Sequence, residues 1–219
     1  MIPYYEDELV TLYHGDCLEI GEWLEAQVLI TDPPYGIAWS RSVNEARQSK
    51  EQAGILNDED TSCRDEVLTL WGDRPAAVFG SFYAPFPAKV KQVLVWHKPP
   101  NSGVVGATTG FRRDAERIFL CGMWPVRDVS SSSVLASAGS GNGPAKATGH
   151  PHAKPLDVLS ELIRYLPDGL IADPFAGSGS TLVAAKRLGR RAVGVELDEA
   201  YCKTAAARLA QGVLFGEFG

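Results

Sequence analysis

The chain has 219 residues, 45% hydrophobic and 22% charged, which at roughly 150 residues per domain reads as one domain over 1–219 and excludes a wholly disordered chain. No apolar run approaches the roughly 18 residues of a membrane span, and MIPYYEDELV has no signal-peptide pattern, so a membrane protein is excluded and the expected compartment is the cytoplasm. The net charge of −6 argues against nucleic acid, but residues 1–35 carry −8 and residues 86–154 carry +6, so a basic middle can face phosphates while the remaining surface repels them.

Short apolar runs that stop abruptly at polar, Gly or Pro residues predict buried strands. In chain order these are Leu9–Tyr13 before HGD, Val28–Ile30 before TDPPYG, Ala76–Phe79 before GS, and Val93–Trp96 before HKPP. Arg117–Leu120, Leu170–Ala172 before DPFAGSGS, and Ala192–Val195 before ELD complete the set. Helical spacing of apolar residues covers Leu156–Leu166, Ser180–Leu188 and Glu199–Ala210. Alternating strands and helices point to an α/β fold, an open sheet with helices on both faces. Residues 36–60 are polar, and 122–149 are rich in Ser, Gly and Ala, so both read as flexible loops. Cys17, Cys63, Cys121 and Cys202 lie far apart without a C-x-x-C pair, so no metal site is expected.

Two segments carry chemistry. Asp173-Pro174-Phe175-Ala176-Gly177-Ser178-Gly179-Ser180 is a glycine turn between a buried strand and a helix. Glycines there let a ligand approach the backbone, and the carboxyl end of a strand is where such sheets bind ligands. Glu196, seventeen residues beyond Gly179 at the next strand end, suits the two hydroxyls of a ribose. The turn lacks a third glycine and a following Lys, so it suits a nucleoside without phosphates, with Asp173 facing a positive group. A tight structural turn explains the glycines equally, and Ser180 and Thr181 read as caps of the helix.

The second segment is Thr31-Asp32-Pro33-Pro34-Tyr35-Gly36. The two prolines fix a rigid, extended stretch that lacks two backbone donors. One carboxylate, one carbonyl and one aromatic ring can grip an exocyclic amine. The lone pair of such an amine is conjugated with the base, and two acceptors on its two hydrogens favour a pyramidal, nucleophilic nitrogen. The ring of Tyr35 would stack on the face of an extruded base. A proline-rich turn capped by Asp32 is the plain alternative.

Together DPPYG and DPFAGSGS resemble the amino-methylating DNA methyltransferases, which methylate adenine N6 or cytosine N4. His150-Pro151-His152-Ala153-Lys154-Pro155 is similar to the family's H-P-x-x-K-P element, Gly15-Asp16-Cys17-Leu18 to its G-D-x-L element, and RRAVGVELDEAY to its ribose-acid strand. With the catalytic element ahead of the cofactor turn, the order resembles the permuted beta group. The resemblance implies a Rossmann-like methyltransferase fold of seven strands, one antiparallel, with the strands at Leu9–Tyr13 and Ala192–Val195 as neighbours. It implies Asp32, Pro33, Pro34 and Tyr35 as catalytic residues. It also implies Asp16, Asp173, Phe175, Gly177, Ser178, Gly179, Glu196, His150 and Lys154 as residues binding S-adenosylmethionine.

DNA would be the partner, as a duplex with its target base flipped out, adenine being favoured over cytosine by the acidic first position of DPPY. Cytosine N4, an RNA base, or a catalytically silent nucleic-acid-binding relative are the alternatives. A homodimer and a restriction-modification or phage setting stay open. No cysteine follows a proline as C5 chemistry would want. The family carries a target-recognition region where residues 122–149 offer only Arg127, Asn142 and Lys146. Recognition then moves to loops 36–60 and 98–117, or is relaxed, or comes from a partner subunit. Lys98, Arg112, Arg113 and Arg117 are the candidate phosphate contacts.

Overall fold

The computed structural model describes residues 1–36, 60–98, 110–126, 128, 130–137 and 153–211. Among them nine strands form one sheet in the order β1-β2-β9-β8-β3-β4-β6-β5-β7. These are β1 (Tyr5–Glu6), β2 (Val10–His14), β3 (Val28–Thr31), β4 (Ala76–Gly80), β5 (Val90–His97), β6 (Ala115–Cys121), β7 (Val134–Ala136), β8 (Ile171–Asp173) and β9 (Ala192–Glu196). β2, β9, β8, β3 and β4 run parallel, and β6 runs antiparallel to both β4 and β5.

All seven predicted strands are present, and within that set β6 is the one antiparallel member. The expected count of seven is corrected to nine by two short edge strands. β1 pairs antiparallel with β2, and β7 pairs parallel with β5. β7 lies inside the stretch read as a flexible loop. Its apolar Leu135 is buried, and Ser137 just beyond it accepts a 2.8 Å hydrogen bond from Trp96 Nε1. Three apolar-to-small residues at an open sheet edge are enough to add a strand.

The first long strand and the last are neighbours, registered from Val10 opposite Ala192 to His14 opposite Glu196. β3 and β4 are buried throughout, because both sheet faces are covered; hence their unbroken apolar runs. Helices α2 (Leu156–Tyr165), α3 (Ser180–Arg187) and α4 (Glu199–Ala210) pack on one face, burying Leu159, Ile163, Leu182 and Ala205 against Val28, Ile30 and Ile171. The other face is covered by a 3-10 turn at Glu22–Glu25 and by α1 (Ser62–Trp71), with Trp23 and Trp71 stacked at 5.9 Å. α1 follows the polar 36–60 stretch, and its signal is thin: only Arg64, Val67 and Trp71 are buried.

Five parallel strands bring their carboxyl ends to one edge of the sheet. Gly15-Asp16, Asp32, Ser81, Pro174 and Leu197 leave it there, beyond β2, β3, β4, β8 and β9. In an open α/β sheet this is the edge where ligands bind. Gly80 is pinned on this edge: a Cβ there would stand 2.5 Å from the Phe119 ring.

Candidate active site

Asp32 leaves the end of β3 with both carboxylate oxygens engaged. Its Oδ2 accepts a 2.5 Å hydrogen bond from the Lys154 ammonium, and its Oδ1 accepts one of 2.7 Å from the Tyr35 hydroxyl. Tyr35 Oη also lies 3.1 Å from Glu116 Oε2, so one phenolic proton serves two carboxylates. Glu116 is paired with Lys98 at 2.6 Å and with Lys154 at 3.4 Å. Two ammoniums and two carboxylates therefore close into a charge-balanced cluster around the Tyr35 hydroxyl.

Lys154 sits just before α2 and its side chain is only 6% exposed, with the rings of Phe79, Tyr35 and Trp96 5.1 to 5.9 Å from Nζ. Burial works against its charge, but Asp32 and Glu116 hold it above the ordinary lysine value. Burial likewise works to raise the Glu116 carboxyl; the charges of Lys154 and Lys98 and the hydrogen bonds from Lys98 and Tyr35 win and hold it at about 2. The Tyr35 phenol is pushed well above its usual value, first by burial and then by the two carboxylates. Nothing in the sequence singles out Glu116: in GFRRDAER the arginines are the candidates for phosphate contact, and the acids belong to no motif. Only the pairing of β5 with β6, which sets Glu116 opposite Trp96, brings it to the site.

The glycine turn stands on the adjoining strand β8. Thr31 Oγ1 donates to Asp173 Oδ1 at 2.8 Å and the Phe175 N–H reaches the same oxygen at 3.2 Å. Asp173 is thus buried inside the edge, holding β3, β8 and the turn together. Burial pushes its carboxyl up to about 7 against the pull of the Thr181 and Thr31 hydroxyls, and the charge of Asp32 adds to the rise. Glu196 Oε2 accepts from the Gly177 N–H at 2.7 Å and Oε1 from the Asp198 N–H at 2.8 Å. Burial raises this carboxyl while those N–H groups lower it. Asp16 stands beside it: the Gly15 N–H bonds Glu196 O at 2.9 Å, and Asp16 Oδ1 accepts from the Leu18 N–H at 2.9 Å.

Three details of the turn differ from the sequence reading. The space left by Gly179 is filled by α4, since a Cβ there would stand 2.8 Å from Ala205 Cβ. Ser178 is buried beneath α4 as well, its carbonyl and hydroxyl taking hydrogen bonds from the Arg208 guanidinium. Ser180 and Thr181 do not cap α3, whose N-cap is Gly179 without a side-chain bond. Ser180 Oγ instead accepts from Arg208, and Thr181 bonds Asp173. Small and hydroxyl residues serve close packing here as much as ligand approach.

Comparison with known proteins then places the chain. A family model described as DNA methylase matches residues 122–207. YubD of Escherichia coli strain K12, named as a methylase, is 31% identical over 215 residues, covering 90% of this chain and 88% of its own. The chain belongs to the N6/N4 DNA methylase family. The type II methyltransferase M.ScaI of Streptomyces caespitosus is 29% identical across 94% of this chain and 83% of its own. Among solved structures, the M1.HpyAVI–SAM complex matches with a TM-score of 0.64 at 21% identity, covering 92% of this chain and 99% of that one. The cytosine-N4-specific PvuII DNA methyltransferase matches with 0.64 at 20% identity, covering 94% and 88%. Both likenesses carry the fold: this methylase has the Rossmann-like methyltransferase architecture.

Within the methylase, the sequence candidates for phosphate contact separate into two groups. Lys98 is drawn into the cluster through Glu116. Arg117 lies over the rings of Phe82 and Phe86 at 4.3 and 4.8 Å, and Arg113 over Tyr83 at 4.7 Å, while Arg112 is exposed. Arg117 pairs with Gly80 at the carboxyl end of β4, on the edge that carries Asp32. His150, Arg127, Asn142 and Lys146, with most of loop 36–60, lie outside the described residues. No helix among the described residues is long and apolar enough to cross a membrane, and no His, Cys, Asp and Glu group there could hold a metal ion.

Proposed function

We propose that this methylase transfers a methyl group from S-adenosylmethionine to an exocyclic amino group of DNA, adenine N6, as a member of the permuted beta group. One observation carries the reading. The amine grip at Asp32 and the glycine turn at Asp173 stand on adjoining strands and are tied by the Thr31–Asp173 hydrogen bond. An amine held at the first lies next to a nucleoside held at the second.

The donor set suits that cofactor. Asp16 and Glu196 end neighbouring strands and can take adenine and ribose. Arg208, the cation bonded to the turn among the described residues, is spent on the Ser178 carbonyl and hydroxyl. An acidic edge also favours a sulfonium. S-adenosylmethionine brings a methyl group made electrophilic by its positive sulfur.

The chain's residues supply the rest. Asp32 and a carbonyl of the Pro33-Pro34 segment accept the two amine hydrogens and free its lone pair for in-line attack. Tyr35 offers its ring to the base face. The Asp32 carboxylate is placed to take the proton that the methylated nitrogen sheds. The acidic first position of DPPY favours adenine, and the arginine–aromatic patch at Arg113 and Arg117 suits the flanking strand. DNA methylated with labelled S-adenosylmethionine and digested to nucleosides tests the reading: N6-methyladenine is expected, N4-methylcytosine would move the target, and no label would overturn it.

A further inference from the structure

Asp32 already shares its negative charge with two donors before any target amine arrives. Its Oδ2 carries the Lys154 ammonium at 2.5 Å and its Oδ1 the Tyr35 hydroxyl at 2.7 Å. Each oxygen keeps a second lone pair, but a positive donor on it draws off the charge that an incoming amine hydrogen would use. A neutral amine cannot displace a buried cation from its anion unless that cation has another anion to go to, because an unpaired charge in an apolar pocket is costly. Lys154 is nearly out of water at 6% exposure, with the rings of Phe79, Tyr35 and Trp96 around its ammonium.

We propose that Glu116 is a positioning residue that receives Lys154 when the target amine takes over Asp32. Resting on the amine-methylation reading, the inference adds to it an exchange of counter-ions. Glu116 Oε2 lies 3.4 Å from Lys154 Nζ, an ion-pair distance still longer than a hydrogen bond, so a shift of about half an ångström completes the second pairing. Lys98 already holds Oε1 at 2.6 Å and keeps the carboxylate oriented. The shift is small enough that Lys154 stays beside Asp32 while it closes on Glu116, so neither the ammonium nor the Asp32 carboxylate is left without an opposite charge nearby. The Tyr35 hydroxyl, within reach of both carboxylates, follows by turning its proton from Asp32 toward Glu116 or back. Resting, the cluster holds Lys154 against Asp32; with a base bound, the same cation stays paired one carboxylate away.

The test uses the full chain, tritiated S-adenosylmethionine and unmethylated genomic DNA. Methyl transfer by the wild type is the first arm, and its absence would overturn the amine-methylation reading and this one with it. Given transfer, Glu116→Gln should raise KM for DNA at least tenfold while the Kd for S-adenosylmethionine, read by calorimetry, changes less than threefold. In the Glu116→Gln/Lys154→Met double variant the competing cation is gone, and KM should fall back at least threefold from that of Glu116→Gln. Glu116→Asp keeps the charge and should lie between the two, which also covers the case in which Glu116→Gln folds poorly. An unchanged KM in Glu116→Gln, or a penalty of equal size with and without Lys154, would show that Glu116 does not act through Lys154 and would overturn the proposal.

Discussion

Lys154 and Asp32, 122 residues apart in the chain, share a 2.5 Å hydrogen bond between ammonium and carboxylate at the carboxyl edge of the sheet. Breaking a buried pair from one side costs about 3–5 kcal/mol. Lys154→Met should therefore lower the melting temperature by on the order of 10 °C for a chain of this size. It leaves Glu116 held down by Lys98 and the Tyr35 hydroxyl alone against burial, so its carboxyl rises. Between pH 7 and pH 5 the wild-type Glu116, held at about 2, stays ionised. The variant should gain stability over that window, and its deficit should narrow at pH 5 in scanning calorimetry. A deficit independent of pH would remove the charge explanation.

Stacking alone would leave Tyr35→Phe fully active, since the ring face is kept. The hydroxyl, however, holds Asp32 Oδ1 and lies within reach of Glu116. Losing a hydrogen bond to a charged group is worth about 1.5–3 kcal/mol. Tyr35→Phe should thus cut methyl transfer roughly ten- to a hundredfold, and Tyr35→Ala further still, with S-adenosylmethionine affinity little changed. Steady-state rates beside calorimetric binding on the same preparations check this, and full activity in Tyr35→Phe would return Tyr35 to stacking only.

Asp173 is buried with its carboxyl pushed up to about 7, while in the unfolded chain it titrates near 4. Between those values the folded chain keeps a proton that the unfolded chain has lost. Stability therefore falls as pH rises from about 4 to 7, by on the order of 4 kcal/mol. Asp173→Asn keeps an acceptor for Thr31 and the Phe175 N–H without the charge. It should melt higher than the wild type at pH 8, with roughly a third of that advantage left at pH 5. An equal difference at both pH values would mean that charge burial is not the cause.

Gly179 sits at φ +76° with Ala205 against it. Gly179→Ala should cost about 1–3 kcal/mol from overpacking, with the left-handed backbone adding roughly 1–2. Adding Ala205→Gly should return the packing share but leave the backbone share, as read by urea denaturation. No recovery at all would show that the conformation, and not the contact with α4, demands glycine there.

The strands were legible because burial on both faces writes an unbroken apolar run, as in Val28–Ile30 and Ala76–Phe79. The two edge strands and α1 were not: β1 has two residues, and β7 hides its Leu135 among Ser and Ala. α1 buries one residue per turn in a polar frame. Asp32 and the glycine turn were legible as local strings with their own chemistry, and Lys154 only through the resemblance of HPHAKP to a family element.

What the sequence determined by itself was therefore local: where strands stop, where glycine and proline shape a turn, and which carboxylate stands after which strand. What only the tertiary structure decided was pairing. Strand order set Asp32 beside the glycine turn. The register of β5 on β6 turned an unremarked Glu116 into the second anion of Lys154. The packing of α4 gave Gly179 and Ser178 a neighbour that the local motif does not show. Charge pairs and close contacts act across a few ångströms of space and carry no trace in sequence separation, so a residue's partner is readable only once the sheet has brought the two together.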